Sequence, residues 1–405
     1  MDKNEHMLGR KTRNLRTIKL LYELSGHRLM KRDLSEKQLQ LDALDGLRGF
    51  AALIVILSHT SNSSMFFLPY INAYGIGKSG VFLFFLLSSF LLSRALIKQD
   101  SGAFTSKSIS HYAQRRFFRI YPLYLPYLLL GLITTMIFSS LLNKEGVGLP
   151  FNLTVSDFFK HLFLLEGKGV TWSIAVEFKF YFVLPAIIFC CHILKSKIGY
   201  ISELVFLLSL VFLSQIVSPQ EESLKNDSRL LPYMCIFIVG TILAVIQCEI
   251  ESKKIDKNML KPIVPLSYVS VLLLVFMTPS VASLVLQDVD KNYFHKDFLQ
   301  YTALWSLVLL SIINFDSRLS SFFKMKWLCF YGSLSFSIYL FHPIFITLAK
   351  KLSLDQYMAA WFVLLASTIT SYISFKLLEM PASKFKFKFS YNKSSNTDGD
   401  NAAGS

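Results

Sequence analysis

The sequence predicts an all-α fold: a polytopic membrane helix bundle of about ten transmembrane helices, with both chain termini in the cytoplasm. Three observations predict it. Of the 405 residues, 53% are hydrophobic and 37 are phenylalanine, a composition too apolar for a soluble domain. Largely apolar stretches of about 18 residues or more recur along the chain, and a helix of that length crosses a bilayer. Lys and Arg accumulate in every second loop between these stretches.

The apolar stretches define ten predicted helices in chain order. They lie near residues 44–64, 78–97, 118–142, 171–193, 199–217, 230–248, 261–279, 297–314, 327–349 and 359–378. The loop between the third and fourth helices is the longest, and its segment DFFKHLF, residues 157–163, predicts a short interfacial helix. That helix would cover a site from outside.

The positive charge of the chain follows this topology. Ten Lys or Arg precede Leu41 and six lie between Arg94 and Arg119, whereas the intervening loops are mixed in charge. Lys and Arg favour the cytoplasmic side, so the net charge of +15 orients the protein and does not indicate a nucleic-acid partner. Membrane lipids are the expected surroundings.

Two tails flank the predicted transmembrane domain of residues 41–381. Residues 1–40 form a basic cytoplasmic tail, for which a solvated tail is favoured over a helix on the inner membrane surface, and no cleavable signal peptide is expected. Residues 382–405 are first basic and then disordered. The five cysteines form neither a disulfide framework nor a zinc spacing, so no metal is expected.

The first predicted helix carries two ionisable residues, Arg48 and His59. Their offset of eleven residues is about three turns plus 20°, so both side chains share one helix face, about 16 Å apart along the axis. Ionisable residues inside a membrane indicate function. One face of this helix is therefore expected to serve two depths of the membrane.

Depth along the helices also connects His59 with Glu177 and His342. His59 and His342 each lie about 22 Å above the cytoplasmic entry of their helices, and Glu177 lies about 9 Å below the outer end of its own. This places the three residues at one level, where a hydrogen bond from His59 to Glu177 would suit a general base. The alternative is that they are polar contacts between helices.

A second cluster of charge is the motif RRFFR, with Arg115 and Arg119 at i, i+4 and Arg116 and Arg119 at i, i+3. Arginine forks suit phosphate, so the ridge and Arg48 are candidates to bind a nucleotide-type ligand. The alternative is a cluster that touches anionic lipid headgroups. Lys179, in the fourth predicted helix, is expected to face a wet cavity or to pair with an acid.

These motifs resemble the integral-membrane acyltransferase family 3, which includes bacterial O-antigen and other polysaccharide O-acetyltransferases. The resemblance runs from about Leu41 to Pro381. The matching stretches are LDGLRGFAALIVILSH with the family's Arg-x10-His pattern, GVFLFFLLSSF, RRFFRIYPLY, WSIAVEFKFYFVLP, SFSIYLFHP and LLEMP. The chain departs from the family pattern at Phe82, Ser89 and Lys179.

The resemblance implies acyl transfer from cytoplasmic acyl-CoA, here acetyl-CoA, to a hydroxyl of a cell-envelope glycan on the far side of a bacterial inner membrane. The acceptor would be a lipopolysaccharide O-antigen or a similar or lipid-linked glycan. It implies a catalytic His59 and assigns Glu177 to the family's acidic position. Arg48, Arg115, Arg116 and Arg119 would contact the CoA. The residues assigned to substrate binding or site support are Asp45, Trp172, Ser173, Tyr181, Tyr339 and His342.

Two functions from other classes remain as alternatives. A proton-coupled transporter would also place His and Glu at membrane depth, although the repeat halves frequent in transporters are not evident in this sequence. A non-catalytic membrane scaffold is the other. The family's optional extracytoplasmic SGNH-type esterase domain is not expected, because no soluble extension is long enough.

Overall fold

The computed structural model describes residues 40–99, 104–140, 148–223 and 226–384. Within these ranges every regular element is helical, which confirms the predicted all-α class. Eight of the described helices are long and apolar enough to cross a membrane, and α10 is a shorter apolar helix. Of the predicted tails, residues 1–40 and 382–405, all but residue 40 and residues 382–384 lie outside the described residues. The count of ten spans and the side of the termini stay predictions.

The helices follow the predicted order closely. Helix α1 is described over residues 40–61. The remaining helices are α2 Gly77–Ile97, α3 Ser106–Ser140, α4 Val155–Leu162, α5 Thr171–Lys197, α6 Tyr200–Val217, α7 Met234–Glu251, α8 Ile263–Phe276, α9 Pro279–Ala282, α10 Phe298–Asn314, α11 Arg318–Phe323, α12 Lys326–Lys351, α13 Gln356–Ser374 and α14 Met380–Lys384. A π-helical turn, Phe375–Glu379, joins α13 to α14.

The largest difference from prediction is at α3, which starts at Ser106 and not near residue 118. The segment before residue 118 is polar and therefore outside an apolar window, but it contains no Pro or Gly that would break a helix. Pro122 and Pro126 lie inside α3 without ending it. As a result the RRFFR motif is part of a continuous helix.

Glycines let the backbone of α1 touch the end of α11 and the backbone of α12. A Cβ on Gly46 would collide with the carbonyl oxygen of Phe323, and one on Gly49 would collide with that of Leu328 and lie 2.7 Å from the nitrogen of Gly332. From Gly49 to His59, and from Gly332 to His342, each helix rises by about 15 Å. This close contact therefore brings the two histidines to one level.

Helix α2 packs against α5, α7 and α10 in the centre of the bundle. Two departures from the family pattern lie on it and are accommodated by neighbours. Phe82 packs in ring contact with Tyr233 and Phe298. At the other position, a Cβ on Gly240 of α7 would collide with the hydroxyl of Ser89, so the facing glycine makes room for the serine. The neighbouring side chains therefore accommodate both residues in the packed bundle.

The predicted short helix before α5 is confirmed as α4. Thr154 caps it by accepting a hydrogen bond from the backbone N–H of Asp157. His161 is fully buried at its end, donates from Nδ1 to the carbonyl of Asp157 (2.7 Å) and accepts at Nε2 from the backbone N–H of Lys168 (2.8 Å). The His161 side chain thus links α4 by hydrogen bonds to the residues just before α5.

Candidate active site

Two cavities open along α1, and we name them by their ionisable residues. The arginine cavity, about 410 Å³ in volume, is lined by Arg48, Arg116, Arg119 and Glu177, with apolar walls from α2. The histidine cavity, about 340 Å³, is lined by His59 and includes Lys78 and Trp172. As the sequence predicts, Arg48 and His59 on one helix lie at two different depths, and each lines one of the two cavities.

The arginine cavity draws its charge from α1 and α3. Arg48 lies 3.7 Å from Asp45, one turn earlier. Arg116 and Arg119 line the cavity, and the Arg116 guanidinium lies over the ring of Tyr181 at 5.7 Å. Arg115 is exposed and lies outside the lining, because one residue turns an α-helix by about 100°. Of the predicted ridge, Arg116 and Arg119 therefore line the cavity together with Arg48, and Arg115 does not.

Arg119 has an acidic neighbour that sequence reasoning did not single out. Its guanidinium lies 3.8 Å from the carboxylate of Glu379, which is 6% exposed and accepts a hydrogen bond from Ser337. Glu379 ends the π-helical turn after α13. π-helical turns are often found at functional sites. In the sequence this residue is visible only as the Glu of the LLEMP stretch.

Glu177 does not reach His59, and this part of the prediction is wrong. Within the described residues its carboxylate accepts from the hydroxyls of Ser88 (2.5 Å) and Tyr181 (2.6 Å), in the arginine cavity. The depth estimate took Thr171 as the membrane surface, but Thr171 is fully buried in the protein. Trp172 already lines the histidine cavity, and Glu177 lies about 7 Å further along the axis.

His59 is paired with His342 instead. Nδ1 of His59 lies 2.8 Å from Nε2 of His342, and Nδ1 of His342 lies 3.0 Å from the carbonyl oxygen of Ile338. A carbonyl only accepts, so in the neutral pair His342 donates from Nδ1 and accepts at Nε2. His59 must then donate from Nδ1, which leaves its Nε2 with the unshared electron pair. These hydrogen bonds therefore assign to neutral His59 the tautomer in which Nε2 can accept a proton.

The two cavities share a wall. Val81 and Tyr339 line both of them, and the Tyr339 hydroxyl is hydrogen-bonded to Ser173 at 2.8 Å. Ser173 and Tyr339, both predicted as site support, thus lie between the arginines and the histidines. Val81 and Tyr339 therefore lie between a ligand in one cavity and the polar side chains of the other.

Several buried polar atoms at the cavities lack a partner among the described residues. They are the hydroxyls of Ser58 and Tyr127 in the histidine cavity and Nε of Arg116 in the arginine cavity. A buried donor without a partner is destabilising, so such atoms indicate a ligand or bound water. Sequence reasoning missed Ser58 and Tyr127, because hydroxyls are common in apolar helices.

Lys78 lies at the start of α2, and Lys179 lies on α5. The Lys78 ammonium is 4.0 Å from the centre of the Trp172 ring and 3.2 Å from the Asn226 side-chain oxygen. Sequence reasoning missed it, since a lysine before an apolar stretch is usually a topology signal. Lys179 donates to the backbone carbonyls of Leu165 and Ser228, so the predicted wet cavity or acidic partner is replaced by loop carbonyls.

The segment around α4 forms one side of the histidine cavity, through Phe151, Gly169 and neighbouring residues. An ion pair of 2.6 Å with Lys168 lowers the pKa of Asp157. Burial lowers the pKa of His161, whose two ring nitrogens already serve one acceptor and one donor. Among the described residues, no cluster of His, Cys, Asp and Glu has the arrangement of a metal site.

Comparison with known proteins adds a family and several relatives. A family model described as an acyltransferase domain matches residues 41–377. The O-acetyltransferase OatA of Staphylococcus aureus strain NCTC 8325 / PS 47 is 26% identical over 376 residues, which are 86% of this chain and 58% of that protein. OatA of strain MRSA252 gives the same values. The chain therefore spans less than two thirds of these relatives. No solved structure matches.

Proposed function

Because the chain belongs to the acyltransferase domain family, which is the predicted one, we propose that it is a multi-pass membrane O-acetyltransferase of the bacterial cytoplasmic membrane. It transfers an acetyl group from cytoplasmic acetyl-CoA to a hydroxyl of a cell-envelope glycan on the outer side. A lipopolysaccharide O-antigen or a lipid-linked precursor is such an acceptor. The observation that carries the proposal is the pair of cavities with a shared wall, with arginines in one and, in the other, His59 with its hydrogen bond to His342.

The arginine cavity suits the donor. Arg48, Arg116 and Arg119 offer guanidinium forks, which bind phosphate oxygens in pairs. The unpartnered Nε of Arg116 supports an anionic ligand at this place. With the phosphates there, the apolar wall of α2 accommodates the pantetheine arm, and the thioester lies at the wall formed by Val81 and Tyr339. Glu177 and Asp45 keep the cavity from excess positive charge.

The histidine cavity suits the acceptor and the chemistry. Nε2 of His59 removes the proton of the glycan hydroxyl as its oxygen attacks the thioester carbonyl carbon. The carbon–sulfur bond then breaks, and the CoA thiolate leaves and takes up the proton from His59. His342 keeps Nδ1 of His59 occupied as a donor, so it acts as a positioning residue. The proposed mechanism is the general-base mechanism predicted from sequence, except that His342 and not Glu177 orients His59.

The test compares the envelope polysaccharide of cells with and without this gene by proton NMR. We expect O-acetyl resonances that depend on the gene and disappear on treatment with mild base. Cells that carry the His59→Ala chain should lack them, although the variant is inserted in the membrane at the same level. Gene-independent signals, or normal acetylation by the variant, would overturn the proposal. The same family membership disfavours the proton-coupled transporter.

A further inference from the structure

Tyr339 lies in the wall between the two cavities, where the proposed reaction takes place. We infer that its hydroxyl is a catalytic group, which donates a hydrogen bond to the carbonyl oxygen of the acetyl thioester and stabilises the oxyanion that forms there. This inference rests on the proposed function and adds a residue to the same site. Two observations carry it: the position of Tyr339 in both linings and the direction of its hydrogen bond to Ser173.

The position of Tyr339 follows from what the reaction needs. In the proposed reaction the attacking hydroxyl comes from the histidine cavity and the CoA sulfur leaves on the side of the arginine cavity, so the thioester carbonyl lies at the shared wall. Among the described residues, only Val81 and Tyr339 line both cavities. Val81 has no polar side-chain atom, and every other hydroxyl of the two linings belongs to one cavity alone. The Tyr339 hydroxyl is therefore the donor placed to reach the carbonyl oxygen.

The hydrogen bonds of Ser173 show which of the two hydroxyls donates. The Ser173 hydroxyl lies 3.2 Å from the carbonyl oxygen of Val170 and 2.8 Å from the Tyr339 hydroxyl. A carbonyl oxygen only accepts, so the single proton of Ser173 is directed to Val170, and Tyr339 donates to Ser173. Tyr339 and Ser173 are 7% and 6% exposed, so the protein holds the tyrosine proton in place. Exchange of the neutral Ser173 oxygen for a developing oxyanion strengthens the hydrogen bond.

The Tyr339 ring also lies close to the proposed base. Its centre is 6.0 Å from the centre of the His342 ring, which in turn lies 4.9 Å from the centre of the His59 ring. A donor and a base that are both held in place before the reaction need no rearrangement when charge develops. The arrangement thus supplies a base for the acceptor hydroxyl and a donor for the thioester oxygen.

The step balances as follows in atoms and electrons. The glycan oxygen forms a bond to the carbonyl carbon and gives its proton to Nε2 of His59, while the π electrons of the carbonyl move onto the oxygen that accepts from Tyr339. When the carbonyl re-forms, the carbon–sulfur bond breaks, and the CoA thiolate leaves and takes the proton from His59. Tyr339 keeps its own proton throughout.

The experiment uses the full chain in lipid nanodiscs and two readouts. Transfer of label from radiolabelled acetyl-CoA to envelope polysaccharide from cells that lack the gene gives kcat and KM. Isotope-edited infrared spectroscopy of bound acetyl-CoA, carbon-13 labelled at the thioester carbonyl and without acceptor, gives the carbonyl stretch.

Tyr339→Phe should lower kcat by about 10²- to 10³-fold, as for the loss of one oxyanion donor, with the KM for acetyl-CoA changed by less than about threefold. The carbonyl stretch should lie at a lower frequency in the unchanged protein than in the variant, because a hydrogen bond weakens the carbon–oxygen double bond. Tyr301→Phe is the matched control. Tyr301 is 1% exposed, donates to the carbonyl oxygen of Met277 at 2.8 Å and lies outside both linings, so its variant should keep kcat.

Ser173→Ala separates donation to the thioester from the hydrogen bond between the two hydroxyls. It removes the acceptor and keeps the donor, so kcat should fall by at most about tenfold, the worth of a neutral hydrogen bond, and the carbonyl stretch should stay low. Equal losses of kcat in Ser173→Ala and Tyr339→Phe would overturn the inference. If Tyr339→Phe is not inserted in the membrane, the stretch in Ser173→Ala decides: a low value supports the inference and a rise above the unchanged protein contradicts it.

The two readouts also separate this inference from the proposed function. Acetyl transfer by the unchanged protein, with a carbonyl stretch that is the same in Tyr339→Phe, rejects the role of Tyr339 and leaves the proposed function standing. A stretch that depends on Tyr339 without any acetyl transfer sinks the proposed function, and the contact of Tyr339 with the bound thioester remains.

Discussion

The arginine and histidine cavities begin on the same face of α1 and are similar in size, about 410 and 340 Å³, yet they are built for different tasks. The first combines guanidinium forks with carboxylates that hold them, as in the Arg119 and Glu379 pair. The second combines the His59 imidazole, hydrogen-bonded to His342, with hydroxyls that lack partners among the described residues. The difference teaches that the ionisable side chains on α1 have unlike surroundings at the two depths, which in the proposed function correspond to donor binding at one depth and proton transfer at the other.

The largest effect is expected from His59→Ala. Loss of a general base lowers the rate of acetyl transfer by about 10²- to 10⁴-fold. Because His59 lies outside the arginine cavity, the affinity for acetyl-CoA should change by less than about threefold. Both quantities are measured on the purified variant in nanodiscs, by label transfer and by equilibrium binding. If the variant loses affinity for acetyl-CoA as well as rate, the assignment of donor binding to one cavity and proton transfer to the other is wrong.

Arg116→Gln should have the opposite signature. Losing a charge-assisted contact to phosphate raises the KM for acetyl-CoA by roughly 10- to 100-fold, with kcat at saturation nearly unchanged. Arg115→Gln removes the same charge from the adjacent, exposed position and should leave KM within twofold. Steady-state kinetics of the two variants in parallel decide it. Equal effects of the two substitutions would mean that the charge acts at a distance and not through the cavity.

Substitutions at His342 test whether its hydrogen bond positions His59 in the histidine cavity. His342→Leu removes the acceptor for Nδ1 of His59 and should lower kcat on the order of tenfold, with KM for acetyl-CoA unchanged. His342→Gln keeps an acceptor oxygen and should restore part of the rate. The measurement is kcat against pH, whose acid limb should move in the leucine variant. If the two variants lose activity equally and the profile keeps its position, His342 serves packing alone.

The smallest effect concerns the segment beside the histidine cavity. Burial holds the pKa of His161 below its ordinary value, so the folded protein binds this proton less readily than the unfolded chain. Stability should therefore fall as pH drops below about 6.5, the pKa of an unperturbed histidine. The loss is about 1 kcal/mol, the worth of the hydrogen bond from the Lys168 N–H. Thermal unfolding from pH 7.5 to 5.0 should show a larger decrease for the unchanged chain than for His161→Gln.

Much of the fold could be predicted because the length of an apolar stretch is a local property of the sequence. The boundary of α3 could not, since a polar helical segment is invisible to an apolar window. For the site, counting rise along two parallel helices correctly brought His59 and His342 to one level, and Gly49 and Gly332 are the physical reason. The same count failed for Glu177, because it required knowing how deep α5 begins, and the buried Thr171 shows that α5 begins inside the protein and not at its surface.

Other site residues were out of reach for a different reason. Ser58 and Tyr127 become informative only when their lack of partners is visible, which is a property of the packed structure. Arg115 could not be separated from Arg116 and Arg119, since the sequence does not say which face of α3 meets the bundle. The π-helical turn that brings Glu379 to Arg119 has no signal in hydropathy.

The wall of Val81 and Tyr339 has a consequence for the cell's energy supply. In the proposed function the two cavities open to opposite faces of the membrane, and this pair of side chains, with the hydrogen bond between Tyr339 and Ser173, is then part of the barrier between the two solutions. An acetyl group must cross there while hydrogen ions must not. The hydroxyl pair would then act as an electrical seal, and opening it would short-circuit the proton-motive force in proportion to how long it stays open.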